Sequence, residues 1–176
     1  MDKYVRILIT IFLLVGASSP LSGDVRAFAH NDFDGTWQLD RHLSSPVSGF
    51  NDLVFVISQT SVEFHVTRVI KRNKRKDRVS EVTYYTDGRG EETPLLLTTD
   101  KLKSTTHWVD DKLVRKFRVT GFITGDVYYL DHTETWFLSP DGKFLTIDTE
   151  VKPGHVPMLF RNVIKDESYH RVFHSA

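Results

Sequence analysis

Val127-Tyr128-Tyr129-Leu130-Asp131-His132-Thr133-Glu134-Thr135-Trp136-Phe137-Leu138 is the stretch whose reading decides the fold. It is rich in β-branched and aromatic residues, which fit a pleated, half-buried surface. A period of two sends Tyr128, Leu130, His132, Glu134, Trp136 and Leu138 to one face and Val127, Tyr129, Asp131, Thr133, Thr135 and Phe137 to the other. Downstream, Pro140-Asp141-Gly142 predicts a tight turn, with Pro fixing φ and Gly accepting a positive one, and 144–151 returns as a strand. Upstream, Gly125-Asp126 turns the chain out of 112–123, where Leu113, Phe117 and Val119 share a face.

Working outward, the same grammar repeats. Residues 35–39, 53–57, 62–67, 79–86, 93–99, 103–109 and 158–165 read as further strands, separated by Gly, Asp, Asn and Pro. Val62, Phe64 and Val66 alternate with Glu63, His65 and Thr67. Residues 166–176 stay open between a strand extension, a short helix and a frayed tail. About ten strands at regular spacing, with no amphipathic helix of a dozen residues, predict an all-β fold: an antiparallel barrel or barrel-like sandwich. Its 176 residues make one domain with a sizeable core.

The charge count narrows the function classes. Lys plus Arg equals Asp plus Glu at 23 each, which speaks against a dedicated nucleic-acid binder, since such proteins need a basic surface. The chain contains no cysteine, so disulfides, thiolate nucleophiles and thiolate metal sites are excluded. Lys3 and Arg6 precede an apolar stretch, 7–15, and the small residues of 16–19 follow. This is the pattern of a signal peptide for export to the periplasm or beyond. The apolar stretch is about half the ~20 residues a membrane span needs. Cleavage is expected between Ser18 and Ala29, which gives a leader over 1–29, a barrel over 30–165 and a tail over 166–176.

Three segments carry a resemblance. Gly35-Thr36-Trp37, within 31–37, resembles the G-x-W motif that opens the first strand of lipocalin-like proteins. Residues 134–147, Glu-Thr-Trp-Phe-Leu-Ser-Pro-Asp-Gly-Lys-Phe-Leu-Thr-Ile, resemble the late hairpin of a bacterial group of exported lipocalin-like proteins. Residues 108–114 resemble that group's central W-D-G-D-x-L hairpin, with Val109 inserted and the turn glycine missing. Order and spacing agree from Gly35 to about Lys165. The resemblance implies a single up-and-down β-barrel of about 8–10 strands, its closed end plugged by Trp37. It also implies a basic residue packed over that Trp, for which Arg161 is the candidate. Fold alone does not carry function.

If Trp136 points into the barrel, so do His132 and Glu134, and Tyr128, Leu130, His132, Glu134 and Trp136 become candidate pocket residues. Aromatic walls with a few orienting polar groups suit a small apolar or amphipathic ligand. The bland alternative is a satisfied polar pair at the barrel mouth. Lys71, Arg72, Lys74, Arg75, Lys76 and Arg78 crowd six cations into one predicted hairpin tip. That suits an anionic membrane surface or a protein partner, and equally a solvated loop that discourages edge-to-edge aggregation. His170 and His174 could share a helix face at metal-chelating spacing, but the H-E-x-x-H motif is absent. Asp148 and Glu150 read as a solvent face. No catalytic motif and no cofactor fingerprint is present. The leading expectation is an exported barrel that binds a small molecule, ahead of a non-catalytic envelope interaction module. An enzyme built on a His132/Glu134 acid–base pair comes third.

Overall fold

The computed structural model describes residues 31–46, 52–71, 76–94 and 101–176; the leader over 1–29 lies outside them. Ten strands follow in chain order: β1 (Gly35–Asp40), β2 (Asp52–Gln59), β3 (Glu63–Lys71), β4 (Arg78–Tyr85), β5 (Glu91–Pro94), β6 (Lys101–Val109), β7 (Lys112–Ile123), β8 (Asp126–Leu138), β9 (Phe144–His155) and β10 (Glu167–Ser175). They form one antiparallel up-and-down sheet in the order β4-β3-β2-β1-β10-β9-β8-β7-β6-β5. Every paired neighbour is also a neighbour in sequence, except for β1 with β10, where Trp37 faces Ser175 and Leu39 faces Phe173.

The sheet curls into a nearly closed barrel whose seam lies between β4 and β5. Backbone contact across it is sparse: a bridge between Asp87 and His107 and a bond from the Gly88 N–H to the Thr106 carbonyl, 3.2 Å. A side chain supplies the rest. The Glu91 carboxylate on β5 accepts from the Tyr85 N–H on β4 at 3.4 Å. It also accepts from Ser104 Oγ at 2.5 Å and Thr106 Oγ1 at 2.9 Å on β6.

Alternation decides what faces inward. On β8, Trp136 is buried to 2% exposure, and Glu134 and His132 follow it inward by parity. The end of the barrel that holds Trp37 is packed with rings. Phe55 stacks on Trp136 at 5.7 Å and on Phe173 at 4.7 Å, and Phe64 meets Trp136 edge-on at 5.7 Å. Each such buried side chain contributes about 1.5–3 kcal/mol. Residues 31–34 close this end as a strap. Phe33 is fully buried, lies 5.5 Å from Phe64, and its carbonyl accepts from Trp37 Nε1 at 2.9 Å. Gln59 anchors the strap, accepting from the Phe33 N–H at 3.2 Å and donating to the Asn31 carbonyl at 2.9 Å.

Three sequence expectations need correction, and a fourth lies partly outside the described residues. Residues 158–165 are not a strand: Met158–Phe160 is a 3₁₀ turn that continues through bonds from Val163 and Ile164 to the Phe160 carbonyl. The run is apolar but never alternates, and it has no free strand to pair with. Residues 166–176 are not a tail: they contain β10, the strand that joins the two ends of the sheet. Arg161 does not pack over Trp37. It is exposed on the β9–β10 connection, and its Nε donates to the Val156 carbonyl at 3.4 Å. Trp37 lies at the other end of β10, nine residues long and therefore on the order of 30 Å. The Phe33 carbonyl, not a cation, is what bonds the Trp37 indole. Finally, β5 is described only over Glu91–Pro94, and the remainder of the expected 93–99 strand lies outside the described residues.

Candidate functional site

Away from Trp37 the interior is mixed, with a polar cluster beside buried Leu53 and Ile70. Arg115 on β7 is the centre, with its side chain 4% exposed. Its Nη1 donates to Glu134 Oε2 at 3.1 Å, its Nε to Ser104 Oγ at 3.1 Å and its Nη2 to Thr93 Oγ1 at 3.3 Å. Glu91 Oε1 lies 3.9 Å from Nε. The guanidinium carbon sits 4.7 Å from the Tyr84 ring centroid and 4.3 Å from that of Phe117. One cation thus meets two carboxylates, two hydroxyls and two aromatic faces, so its charge is fully answered within the protein.

Arg68 on β3 is answered less well. Register puts it in line with Phe55, and alternation with Phe64 and Val66 turns it inward. Its Nη2 donates to the Tyr84 hydroxyl, but its Nε has no partner. Burial is the main cause that lowers its pKa from the ordinary guanidinium range to about 10; the negative charge of Glu134 opposes the shift, and the positive charges of Arg115 and Arg171 add to it. Arg171 on β10 faces Ile147, and among the described residues no acid pairs with it.

These side chains border a cavity of about 110 Å³. Its apolar wall is Leu53, Phe55, Ile70, Trp136 and Ile147. Its polar side is Arg68, Arg171 and Glu134. Trp136 also borders the cavity, and its Nε1 is buried without an acceptor among the described residues.

The five expected pocket residues separate. Glu134 and Trp136 border the cavity. His132 lies farther out, stacked 4.6 Å from Phe117 at 13°, with its Nε2 unpartnered; burial, the largest cause, lowers its pKa, opposed by Glu134. No hydrogen bond joins His132 to Glu134, whose carboxylate serves Arg115, so the acid–base pair of the third reading is not assembled. Tyr128 lies across Gly121: a Cβ there would fall 2.2 Å from Tyr128 Cζ. Tyr128 and Leu130 do not border the cavity.

Sequence reasoning missed Arg68, Arg115 and Arg171. The first two were within reach, because Arg68 continues the Phe64, Val66 alternation and Arg115 sits between Leu113 and Phe117. Arg171 was hidden by the unread β10.

The chain matches no protein-family model and no curated protein.

The other expectations land on the outer surface. Lys71, Lys76 and Arg78 lie at the β3–β4 connection, with Lys71 3.8 Å from Asp52; Arg72, Lys74 and Arg75 lie outside the described residues. The same end of the barrel carries exposed Phe122, Met158 and Leu159, at 75%, 81% and 85%. His170 pairs across strands with Asp148, Nδ1 to Oδ1 2.6 Å. Being in a strand, it is about 13 Å from His174, too far to chelate one ion, and among the described residues no group of three or more His, Asp or Glu could hold a metal. Glu150 pairs with Lys152 at 3.0 Å in solvent.

Proposed function

We propose that the protein is an exported, lipocalin-like barrel that binds a small, partly apolar molecule in its interior. The observation that carries this reading is the cavity between Trp136, Phe55 and Ile147 on one side and Arg68 and Arg171 on the other. Ten strands enclose a wider lumen than the eight whose side chains just fill a barrel, and here the rings fill only the Trp37 end. The cavity is small beside the 300–1,000 Å³ common for drug-sized ligands, which favours a molecule of few heavy atoms. The Gly35-Thr36-Trp37 start and the 134–147 hairpin support the lipocalin-like assignment. The pattern of Lys3, Arg6, 7–15 and 16–19 supports export.

Native mass spectrometry of protein purified from its own host is the test. A co-purifying small molecule, lost on denaturation and absent from an Ile147→Trp variant that fills the cavity, is the expected outcome. Apo protein alone, across several growth conditions, would count against the reading. The same spectra test export: the mature mass should begin between residues 19 and 30, and an intact Met1 in the cell-envelope fraction would refute it.

A second reading is favoured by a separate observation. Exposed Phe122, Met158 and Leu159 share the barrel end with Lys71, Lys76 and Arg78. Apolar tips beside cations suit an anionic membrane surface. Replacing Lys71, Arg72, Lys74, Arg75, Lys76 and Arg78 with Ser should abolish binding to vesicles that contain phosphatidylglycerol; unchanged binding removes that loop from consideration.

A further inference from the structure

We infer that the molecule held in the cavity is a monoanion, a short-chain carboxylic acid whose head group lies between Arg68 and Arg171 and whose chain lies along Phe55, Trp136 and Ile147. This rests on the interior-binding reading above and names the chemistry of that site.

The charge pattern leads there. Among the described residues, three arginines stand in this part of the interior, Arg68, Arg115 and Arg171, against two carboxylates, Glu91 and Glu134. Both carboxylates are committed to Arg115, and Glu91 is further occupied by Ser104 and Thr106. One excess positive charge is therefore shared by Arg68 and Arg171. They stand close enough that the charge of Arg171 lowers the pKa of Arg68. Two like charges beside an apolar wall are unfavourable unless something negative comes between them.

The free donors point the same way. Among the described residues Arg68 Nε and Trp136 Nε1 have no acceptor, and Arg68, Trp136 and Arg171 all border the cavity. An acceptor-only group with two oxygens matches this set, because guanidiniums bind carboxylates through paired N–H bonds. The opposite wall, Leu53, Phe55, Ile70 and Ile147, offers only hydrocarbon and a ring, so the rest of the ligand is apolar. The volume limits it to a short chain.

The arrangement also separates binding from stability. An arginine kept near another arginine without an acid partner destabilises the unliganded barrel, so its replacement by Met should leave Tm unchanged or raise it while removing the anion site. Isothermal titration of the purified chain with hexanoate, hexan-1-ol and inorganic phosphate tests this. Hexanoate should bind at least about tenfold more tightly than the alcohol. Arg171→Met and Arg68→Met, each folded by circular dichroism, should erase that preference, and Arg171→Lys should keep part of it. Equal affinity for acid and alcohol overturns the anion assignment and leaves interior binding intact. Phosphate bound as tightly as hexanoate overturns the apolar-tailed acid. Binding of none of the three overturns this inference and counts against the reading it rests on.

Discussion

Arg115 carries a full positive charge where water reaches 4% of its side chain. Such a group is tolerated only because Glu91, Glu134, Ser104 and Thr93 surround it. Removing the cation alone leaves two carboxylates buried together, so Arg115→Met should cost about 3–5 kcal/mol in urea unfolding. The triple change Arg115→Met, Glu91→Gln, Glu134→Gln should recover a large part of that loss; equal losses would show that packing, not charge, dominates. His132 gives a pH prediction. Its folded pKa lies below 6.5 because burial disfavours the imidazolium. The unfolded chain then binds the proton first, so this contribution to stability is whole above about pH 6.5 and falls as the pH drops from there towards the folded pKa. Unfolding of His132→Gln should depend less on pH between 7 and 5 than that of the unsubstituted protein, and parallel curves would contradict this. These residues were partly legible. Parity along 127–138 placed His132, Glu134 and Trp136 on one face, but no pattern within one strand reveals that Glu134 belongs to an arginine 19 positions earlier, on the neighbouring strand.

At the scale of elements, the turns hold the clearest local strain. Thr124, a β-branched residue, has φ of 51°, followed by Gly125 at 91°. Two consecutive positive φ values are the pattern of the tight hairpin turn that favours Asn-Gly. Thr124→Asn should stabilise the protein by about 0.5–1 kcal/mol and raise Tm by about 2–4 °C; an unchanged or lower Tm would mean that the Thr124 Oγ1 bond to the Ile123 carbonyl, 2.8 Å, compensates the strain. Strand legibility followed alternation closely. β3 and β7 alternate in burial as their sequences do, whereas β2, read from a continuous apolar run as buried on both faces, exposes Val56. The stretch 158–165 misled because a run of Met, Leu, Phe, Val and Ile reads as buried, whereas in the fold Met158, Leu159 and Val163 stand in solvent. β10 went unread because the first four of its nine residues, Glu167 to His170, are all exposed, which blurs the alternation. Its inward signals, Arg171 and Phe173, come only at the end.

For the molecule as a whole, the all-β barrel was foreseeable from ten punctuated strands, while the position of its seam was not. Nothing local distinguishes the β4–β5 connection from the other turns. The seam exists because β5 pairs with β6 and reaches β4 chiefly through one glutamate. It lies far along the sheet from the β1–β10 junction, the contact with the greatest separation in sequence. The polypeptide is therefore a ribbon whose ends in space are not its ends in sequence. Cutting the backbone between Asp87 and Gly90 and linking Ala176 to Asn31 would give a circular permutant in which every paired strand follows its neighbour. Its most distant pairing would become a local one, so the permutant should fold faster than the parent in stopped-flow refolding, with the Glu91 carboxylate left to draw the two new termini together. A rate equal to the parent's would mean that β1 meets β10 only after the rate-limiting step, and that the ribbon forms as two arms before it becomes a tube.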